Sequence, residues 1–468
     1  MKIRAALTLG AVVLSGSTLA ASRAPVPPDS PSLFAAAPSA SPAAQTAPAA
    51  VAFTHVNVVP MDSERVLRDQ TVLVEQGRIR RLGSADEIQV PAGVMTVDGS
   101  DKYLMPGLAE MHGHMPGGDV EEMVMFLYVA NGVTTVRGML GQDGHMELRR
   151  KANAGEIVAP TLYMAGPSFS GGSVSSPEQA ARRVRAQKEQ GWDLLKIHPG
   201  LTVAEYDAMA ITAHEVGIRF GGHVPADVGL EHAIQMGQET FDHLDGFIEY
   251  LDAFDQPIDR SSLQELVTMV KDAGSWVVPT LVLWDVGIIG RGDAQALAAR
   301  PEMRYWPKRS IPGAEGVEGW TRRHAASARQ AQADPDAADL WANNRLEVLK
   351  ALADGGVGIL MGTDSPQIFS VPGFSLHREM RAMAEAGMSP YEILVSGTRA
   401  VGEYFRRSDT FGTVAVGRRA DLILLNTNPL DDIGNVADRA GVMVRGRWFP
   451  ESYIQERLDG IARRFATN

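Results

Sequence analysis

The stretch Pro106-Gly107-Leu108-Ala109-Glu110-Met111-His112-Gly113-His114 joins a short apolar run to two histidines two positions apart. Alternate side chains of a strand lie on the same face, so a strand here would turn His112 and His114 the same way. Imidazole nitrogens suit zinc and similar divalent ions. A lone histidine at a strand end is more often a hydrogen-bonded core or surface residue, so the pair must be read with its surroundings.

Outward from this stretch, apolar runs of similar length recur along the chain, and most are followed by a segment of helical spacing. Residues 177–190 and 203–216 are two such helical segments. Eight strand–helix units predict an α/β fold, a (β/α)8 TIM barrel. A doubly wound open sheet is the alternative, but the glycine-rich phosphate turn it needs after its first strand is missing from the sequence. The eight runs are 107–114, 132–137, 161–165, 192–198, 218–224, 239–245, 276–281 and 357–364.

The two ends of the folded chain carry a different pattern. Period-two alternation over 52–59, 71–79, 420–425 and 441–448 predicts antiparallel strands. Strand-rich pieces at both ends are most economically joined in one small β-sandwich beside the barrel. The predicted divisions are 51–105 for the first part of the sandwich, 106–407 for the barrel, and 408–468 for the second part with a C-terminal helix.

The first fifty residues predict export. Lys2 and Arg4 precede an uncharged, mostly small and apolar stretch, which is typical of a signal peptide over residues 1–21. A membrane anchor is the rival interpretation, but the stretch falls short of about twenty strongly apolar residues. Residues 22–50, rich in Ala, Pro and Ser, predict a semi-rigid linker. We therefore expect a periplasmic or secreted protein with no stable membrane insertion after signal removal.

Composition limits the chemistry that the chain can perform. Its 468 residues include no cysteine, which excludes disulfides, Cys-ligated zinc, iron–sulfur clusters and thiol catalysis. The formal net charge of −12 argues against nucleic acid or an anionic membrane as the main partner. A hydrophobic fraction of 45% is ordinary for a globular protein. A metal must therefore be held by His, Asp, Glu, Lys or backbone atoms. The sequence leaves open whether the chain forms a homo-oligomer.

Polar residues stand where the predicted barrel strands end, at the face that carries the active site in this fold. Strand 4 contains Lys196, which is costly in an apolar strand unless its charge is removed or paired. Strands 5 and 6 end near His223 and His243, and strand 8 ends at Asp364. Alone, an Asp after Gly-Thr is more often a helix N-cap. The group as a whole predicts a divalent metal site.

Three motifs together resemble the metal-dependent amidohydrolase superfamily, in its imidazolonepropionase/prolidase-like branch. The first is 106–114, the second is GVTTVR at 132–137, and the third is the C-terminal return at 412–423 with Asn-Pro-Leu at 428–430. The resemblance extends over about 51–451. Each motif alone is only suggestive, but the combination is highly specific.

The resemblance implies a ligand set and a mechanism. Two divalent ions, with zinc expected, would share a hydroxide at neutral pH, because such ions lower the pKa of a bound water from about 15.7 toward 7. Asp364 would accept and pass on a proton as general base and acid. A mononuclear site, and an ion pair of Lys196 with a buried carboxylate, are the alternatives. The implied ligands are His112, His114 and Asp364 for the first ion, His223 and His243 for the second, and carbamylated Lys196 as the bridge.

The implied activity is hydrolysis of a C–N bond in a dipeptide, an N-acyl amino acid or a related small amide. A lactonase or phosphotriesterase with the same site is the alternative enzyme. A catalytically dead barrel that serves as a scaffold or binding protein is a third hypothesis, against which six filled ligand positions argue.

Substrate contacts are predicted at three further positions. His198 lies two residues beyond Lys196 and should face the same cavity, where the family commonly has tyrosine. Arg137 ends strand 2 and would bind a substrate carboxylate or form a salt bridge inside the barrel. His377 follows strand 8 and would touch substrate or pack at a helix start. The other histidines are interpreted as structural or exposed: His55, His145, His214, His232 and His324.

A long segment, 283–338, separates strands 7 and 8. Long loops on the active face are commonly lids or binding walls. Its aromatic residues would line a pocket for an apolar substrate or cover their own helices. They are Trp284, Trp306 and Trp320, with Trp341 just after.

Overall fold

A computed structural model describes residues 50–406 and 408–466. The predicted signal peptide, and the predicted linker up to residue 49, lie outside the described residues. Ala50, the last residue of that linker, is instead the first residue of a strand.

The described residues form sixteen strands, numbered here along the chain. They are β1 (Ala50–Val58), β2 (Leu67–Glu75), β3 (Arg78–Ser84), β4 (Met95–Asp98), β5 (Tyr103–Pro106), β6 (Leu108–Gly113), β7 (Val133–Gly138), β8 (Thr161–Met164), β9 (Leu194–Ile197), β10 (Arg219–Gly222), β11 (Thr240–Asp242), β12 (Trp276–Val278), β13 (Gly358–Ile359), β14 (Leu422–Leu425), β15 (Arg439–Val444) and β16 (Arg447–Pro450).

Strands from both ends of the chain form one mixed sheet, hereafter the terminal sheet. Its order is β16-β15-β14-β5-β1-β2-β3, with β4 also paired to β1. The ends join where β5 runs antiparallel to β14, with Leu104 opposite Leu424. As predicted, strands from the two ends of the chain pair with each other in one sheet. The folding of this sheet into a two-layer sandwich, and the predicted domain boundaries, stay predictions.

Between the two ends lie eight parallel strands in a TIM-barrel-like arrangement. They pair as a three-stranded sheet, β6-β7-β8, and a five-stranded sheet, β9 to β13 in sequential order. Isolated bridges from Ala165 to Leu194 and from Phe169 to Ile197 link the two sheets. Across the other gap, the Met111 amide donates to the Met361 carbonyl over 2.8 Å. Each of the eight predicted runs overlaps one strand, whereas a closed hydrogen-bonded barrel stays a prediction.

The last barrel strand is much shorter than its predicted run, 357–364. β13 ends at Ile359. Beyond it the chain bonds to β6 through a side chain and the backbone: the Thr363 amide donates to Glu110 Oε1 over 2.8 Å, and the Asp364 amide donates to the His112 carbonyl over 2.7 Å. The chain leaves regular pairing with β12 and binds to the end of β6 instead.

Helices follow most barrel strands, and the two predicted at 177–190 and 203–216 are confirmed. A capping box at Thr202 and Glu205 fixes the start of the second. Within the described ranges, no helix is both long and apolar enough to cross a bilayer. The α-helices are α1 (Glu121–Ala130), α2 (His145–Asn153), α3 (Pro177–Glu189), α4 (Val203–Val216), α5 (Leu230–Gln235), α6 (Phe247–Tyr250), α7 (Arg260–Asp272), α8 (Leu281–Leu283), α9 (Ala294–Ala298), α10 (Val317–Ala333), α11 (Pro335–Asp354), α12 (Phe374–Glu385), α13 (Pro390–Gly397), α14 (Arg399–Tyr404) and α15 (Glu451–Ala466).

The long segment between the last two barrel strands is structured. A π-helix, Trp284–Ile289, follows α8, and α9 and α10 come after it. Trp306 stacks on Trp320 with ring centroids 5.3 Å apart, and Trp284 meets Trp341 edge-on at 5.8 Å. All four rings are buried. Of the two roles considered for these tryptophans, the structure supports packing against their own helices.

Candidate active site

The side chains predicted to bind metal converge at the carboxyl ends of the barrel strands. One ligand atom each from His112, His243 and Asp364 lies within 4.8 Å of the others, and all three residues are buried. The rings of His112 and His243 are 4.5 Å apart between centroids. This group comes from β6, from the residue after β11, and from the loop after β13.

The other three predicted ligands complete the group, hereafter the ligand cluster. Nζ of Lys196 lies 3.1 Å from Nε2 of His112. Nε2 of His114 lies 2.5 Å from Oδ1 of Asp364. The ring of His223 lies 4.4 Å from that of His243. All six predicted ligands are therefore joined in one set of close contacts, with His114 the most open at 20% side-chain exposure.

Two residues of the ligand cluster have an unusual backbone conformation. His243 has φ +66° and Asp364 has φ +62°, in the left-handed region that non-glycine residues rarely adopt. Thr280, after β12, has φ +45°. Such conformations cost of order 1–3 kcal/mol each and concentrate at functional sites. The strand ends here bend away from regular geometry to direct polar groups toward one point.

Three imidazoles of the cluster have an oxygen atom close to Nδ1, which is a hydrogen-bond partner at His223 and His243 and an ion-pair contact at His112. Asp242 Oδ2 lies 2.8 Å from Nδ1 of His112, Asp245 Oδ2 lies 2.6 Å from Nδ1 of His223, and Thr280 Oγ1 lies 2.7 Å from Nδ1 of His243. Outer partners of this kind fix the orientation of metal-binding histidines.

The Nε2 atoms of these rings are thereby left for the centre of the cluster. Nε2 of His243 is buried and has no hydrogen-bond partner among the described residues. Such an atom is costly unless something else binds it. Imidazole nitrogens with carboxylate oxygens form the donor set of zinc and related divalent ions. The residues therefore fit a metal centre.

The electrostatics agree with this donor set. Burial, reinforced by Lys196 and His223 respectively, lowers the pKa of His112 and of His243 well below the usual histidine value, so both are neutral at pH 7. Burial alone would raise the pKa of Asp364, but His112 and His114 bring it well below the ordinary aspartate value. Burial lowers the pKa of Lys196 to about 8, against the pull of Asp242 and Asp364.

The sequence model of the Amidohydrolase family matches residues 103–449. The chain belongs to the amidohydrolase family. Imidazolonepropionases are among its relatives, in agreement with the imidazolonepropionase/prolidase-like branch. Members of this family are generally metal-dependent, in agreement with the ligand cluster.

Two curated relatives and one solved structure show the extent of the likeness. Imidazolonepropionase of Idiomarina loihiensis is 25% identical over 224 residues, 45% of this chain and 52% of that enzyme, so the chain spans about half of this relative's length. Ochratoxinase of Aspergillus niger is 22% identical over 451 residues, 80% of this chain and 81% of that enzyme. The structure of an Xaa-Pro dipeptidase with bound methionine has a TM-score of 0.63 at 19% identity, covering 86% of this chain and 100% of that one.

Family membership and the curated relatives indicate a hydrolase that acts on carbon–nitrogen bonds. The solved dipeptidase, at its low identity, shows the fold alone.

Arg137 of this amidohydrolase is fully buried inside the barrel. Its Nη2 lies 3.2 Å from Asp242 Oδ1, and its Nε donates to the Met111 carbonyl over 2.6 Å. Nη1 donates to Thr240 Oγ1 over 3.1 Å. With these donors engaged, the expected contact with a substrate carboxylate gives way to the salt bridge inside the barrel, the other role considered for it.

The two remaining predicted substrate residues have different surroundings. The ring of His198 stacks on that of His223 with centroids 4.9 Å apart, so it faces the ligand cluster as expected. Burial, reinforced by the charges of Arg439 and of the α12 residue Arg381, lowers the pKa of His377 to about 3. Its neighbours are helix and terminal-sheet residues, so this placement favours packing at a helix start over substrate contact.

Sequence reasoning missed the residues that orient the ligands. Glu110 accepts from the amides of His112 and Thr363 over 2.9 and 2.8 Å, and burial raises its pKa to about 8. Its position two residues before His112 on the same strand face could have revealed it. Gln367 donates to Asp364 Oδ1 over 2.7 Å. For Gln367 and Thr280 the sequence offers no comparable signal.

Asp242 has a second electrostatic partner besides Arg137. Its Oδ2 lies 3.8 Å from Nζ of Lys196, and neither side chain is exposed to solvent. This contact is the buried ion pair that was considered as an alternative role for Lys196. Asp242 therefore contacts His112 and Lys196 of the ligand cluster as well as Arg137 inside the barrel.

Proposed function

We propose that this chain is an exported metal-dependent amidohydrolase that cleaves the amide C–N bond of a dipeptide, an N-acyl amino acid or a related small amide. The observation that carries the proposal is the convergence of six ligand-type side chains, in which His223 and His243 are hydrogen-bonded through Nδ1 and His112 has a carboxylate oxygen close to its Nδ1. A scaffold protein would gain nothing from burying so many polar groups around one point, because each burial costs free energy unless it is compensated.

Each metal would be held by residues of neighbouring barrel strands and of the loops that follow them. His112, His114 and Asp364 would hold one ion, and His223 and His243 the other. When bound, divalent ions, with zinc expected, supply Lewis acidity toward an attacking water and toward the substrate carbonyl.

Lys196 would bridge the two ions as a carbamate. Its amine nitrogen would bond to the carbon of CO₂ and release one proton, which leaves an anion with two ligand oxygens. The location supports this modification, because an unmodified ammonium is fully buried in β9 at 3.1 Å from a histidine nitrogen. Conversion to an anion between two cations removes the cost of that burial.

Asp364 would move the proton of the reaction. Its Oδ1 is engaged by Gln367 and His114, and its Oδ2 lies 3.7 Å from Nε2 of His243. The carboxylate would take a proton from the attacking water as the oxygen bonds to the carbonyl carbon. It would return that proton to the nitrogen as the C–N bond breaks, so that an acid and an amine are released.

His198 would contact the substrate beside the second metal. Its ring is half-buried and stacks on that of His223, which places it at the edge of the ligand cluster. The family commonly has tyrosine at this position. With histidine in its place, the site would recognise a substrate whose polar end group differs from the one that such a tyrosine would contact.

The cellular part of the proposal depends on the N-terminal sequence. Residues 1–21 have the charge and hydropathy pattern of a signal peptide, and a periplasmic or secreted location follows from it. The substrate would be a small molecule and not a nucleic acid, in agreement with the net charge of −12.

The test is a hydrolysis screen of purified protein with dipeptide and N-acyl amino acid libraries, beside lactone and phosphotriester panels. We expect amine release from the amide libraries, its loss with a chelator, its return with added zinc, and about two metal equivalents by elemental analysis. Hydrolysis of lactones or phosphotriesters alone would contradict the amidase proposal. A metal-loaded protein inactive on every panel would contradict the enzyme proposal.

A further inference from the structure

His324 on α10 makes two contacts of the same kind. The residue is fully buried. Its Nδ1 lies 2.9 Å from the carbonyl oxygen of Val286, and its Nε2 lies 3.0 Å from the carbonyl oxygen of Gly292. Both partners belong to the π segment, defined as the π-helix Trp284–Ile289 and the three residues after it.

Two carbonyl partners constrain the protonation of the ring. A carbonyl oxygen only accepts, and a neutral imidazole carries a single N–H, so only the imidazolium donates at both nitrogens. His145 provides a contrast within the same chain. Its Nδ1 accepts from the Gln142 amide over 3.3 Å and its Nε2 lies 3.0 Å from the Met115 carbonyl, an arrangement that a neutral ring satisfies.

The π segment depends on α10 for its position. Ser327, one turn after His324, donates to the Gly287 carbonyl over 2.9 Å. π-helical turns are rare and occur frequently at functional sites. Three carbonyls of this segment are thus bound by two side chains of one helix.

The π segment connects to the ligand His243 by two routes. Thr280, four residues before the segment, holds Nδ1 of His243. The ring of Trp284, the first residue of the segment, lies under the guanidinium of Arg345 at 4.1 Å. Arg345 in turn donates through Nη2 to the backbone carbonyl of His243.

We propose that His324 is a positioning residue that stays doubly protonated at neutral pH, binds the π segment to α10, and thereby fixes His243 for the second metal. Its effect on activity rests on the proposed function above. The Phe369 ring packs edge-on against His324 at 5.7 Å between centroids.

Several charged groups on the elements around His324 pair with one another. Arg291 of the π segment bonds to Asp285 over 2.8 Å and to Asp339 of α11 over 3.0 Å. Arg323, on the helix of His324 itself, bonds to Glu315 over 2.9 Å. The charge of the imidazolium is therefore balanced by carbonyl dipoles and not by a bonded carboxylate.

The decisive measurement is the imidazole nitrogen NMR spectrum of the full protein, labelled with ¹⁵N-histidine and loaded with zinc, at pH 7. The His324→Gln variant assigns the signals. We expect protons on both ring nitrogens of His324 and on one ring nitrogen of His145. A single protonated nitrogen at His324 would overturn the proposal, and this result does not depend on any substrate.

The positioning role has its own test in the His324→Gln variant. We expect faster hydrogen exchange over 281–292, and a loss of affinity for the second zinc and of kcat of about tenfold, the scale for residues that orient ligands. His232→Gln is the matched control, because His232 pairs with Asp207 at the surface over 2.6 Å and should change neither. Unchanged zinc affinity in folded His324→Gln protein would contradict the positioning role, whatever its Tm.

A milder variant covers the case in which His324→Gln does not fold. Ser327→Ala removes one bond to the same segment, and we expect changes in exchange and zinc affinity of the same sign but smaller. No change in either quantity would count against the π segment as the link to His243.

Discussion

The side chains around the ligand cluster and those in the core of the terminal sheet are similarly buried, but many of the first are charged or polar and the second are hydrophobic. Around the ligand cluster, Glu110, Arg137, Lys196 and Asp242 are charged-type side chains with no more than 1% exposure. The terminal-sheet core consists of hydrophobic side chains: Val51, Phe53, Val56, Val58, Val72, Val74, Ile79, Leu104, Val414, Ala420, Leu422, Leu424 and Met443.

The two regions therefore contribute to different properties, the ligand end of the barrel to activity and the terminal sheet to stability. Apolar burial in the terminal sheet stabilises the fold in proportion to the area removed from water. Buried charged groups contribute little net stability even when paired, and removal of one partner is strongly destabilising. The barrel end therefore keeps groups that the chemistry needs, each with a partner, while the terminal sheet contributes packing.

Asp364→Asn should give the largest change in activity. It tests the ligand-cluster side of this comparison. We expect kcat to fall by about 10²- to 10⁴-fold, the usual contribution of a positioned general base. Metal content, measured on the same preparation, should stay nearly intact because the amide oxygen still binds. Wild-type turnover in this variant would refute the role of Asp364.

Arg137→Met should affect folding more than substrate binding. It leaves the fully buried Asp242 carboxylate without its guanidinium partner, so the free energy of unfolding should fall by about 3–5 kcal/mol. Urea denaturation measures this change, and Arg137→Lys, which keeps a charge, is the control and should lose less. A variant of unchanged stability but raised KM would restore Arg137 as a substrate-binding residue.

Thr280→Val tests the outer partner of one ligand. The isosteric change removes the hydroxyl beside Nδ1 of His243, and affinity for the second metal should fall about tenfold. Thr280→Ser keeps the hydroxyl and should retain metal binding, as followed by competition with a chromophoric chelator. Equal affinities in the two variants would show that the orientation of His243 does not depend on this bond.

Ile79→Val addresses the terminal sheet and should give the smallest effect. Ile79 is fully buried in its core, and loss of one methylene should lower the free energy of unfolding by about 1 kcal/mol. Since no ligand belongs to this core, kcat should not change. A matching fall in kcat at a temperature where the variant is fully folded would show that the two regions are coupled.

Much of this architecture could be predicted from local patterns. The eight apolar runs fix where the barrel strands lie, because burial on both sides of a parallel strand demands continuous apolar sequence. The spacing of His112 and His114 predicts a shared face, and both contact the cluster. The alternation at the chain ends predicts paired strands, and β5 pairs with β14.

Other features depend on residues distant in the sequence. Arg137 meets Asp242 across 105 positions, and His243 meets Thr280 across 37. Both are the kind of contact that no local period encodes. The left-handed backbone of His243 and Asp364 has no sequence signature either, since nothing in the residue type requires it.

By itself, the sequence determined the strand–helix order, the ligand types and their place at strand ends, because hydrophobic periodicity and side-chain chemistry are local properties. Only the tertiary structure decided which groups became partners: Arg137 pairs with Asp242, and His243 pairs with Thr280. The physical reason is that a buried charge or polar atom takes whichever partner the packing brings within hydrogen-bond distance, and the chain path sets that choice.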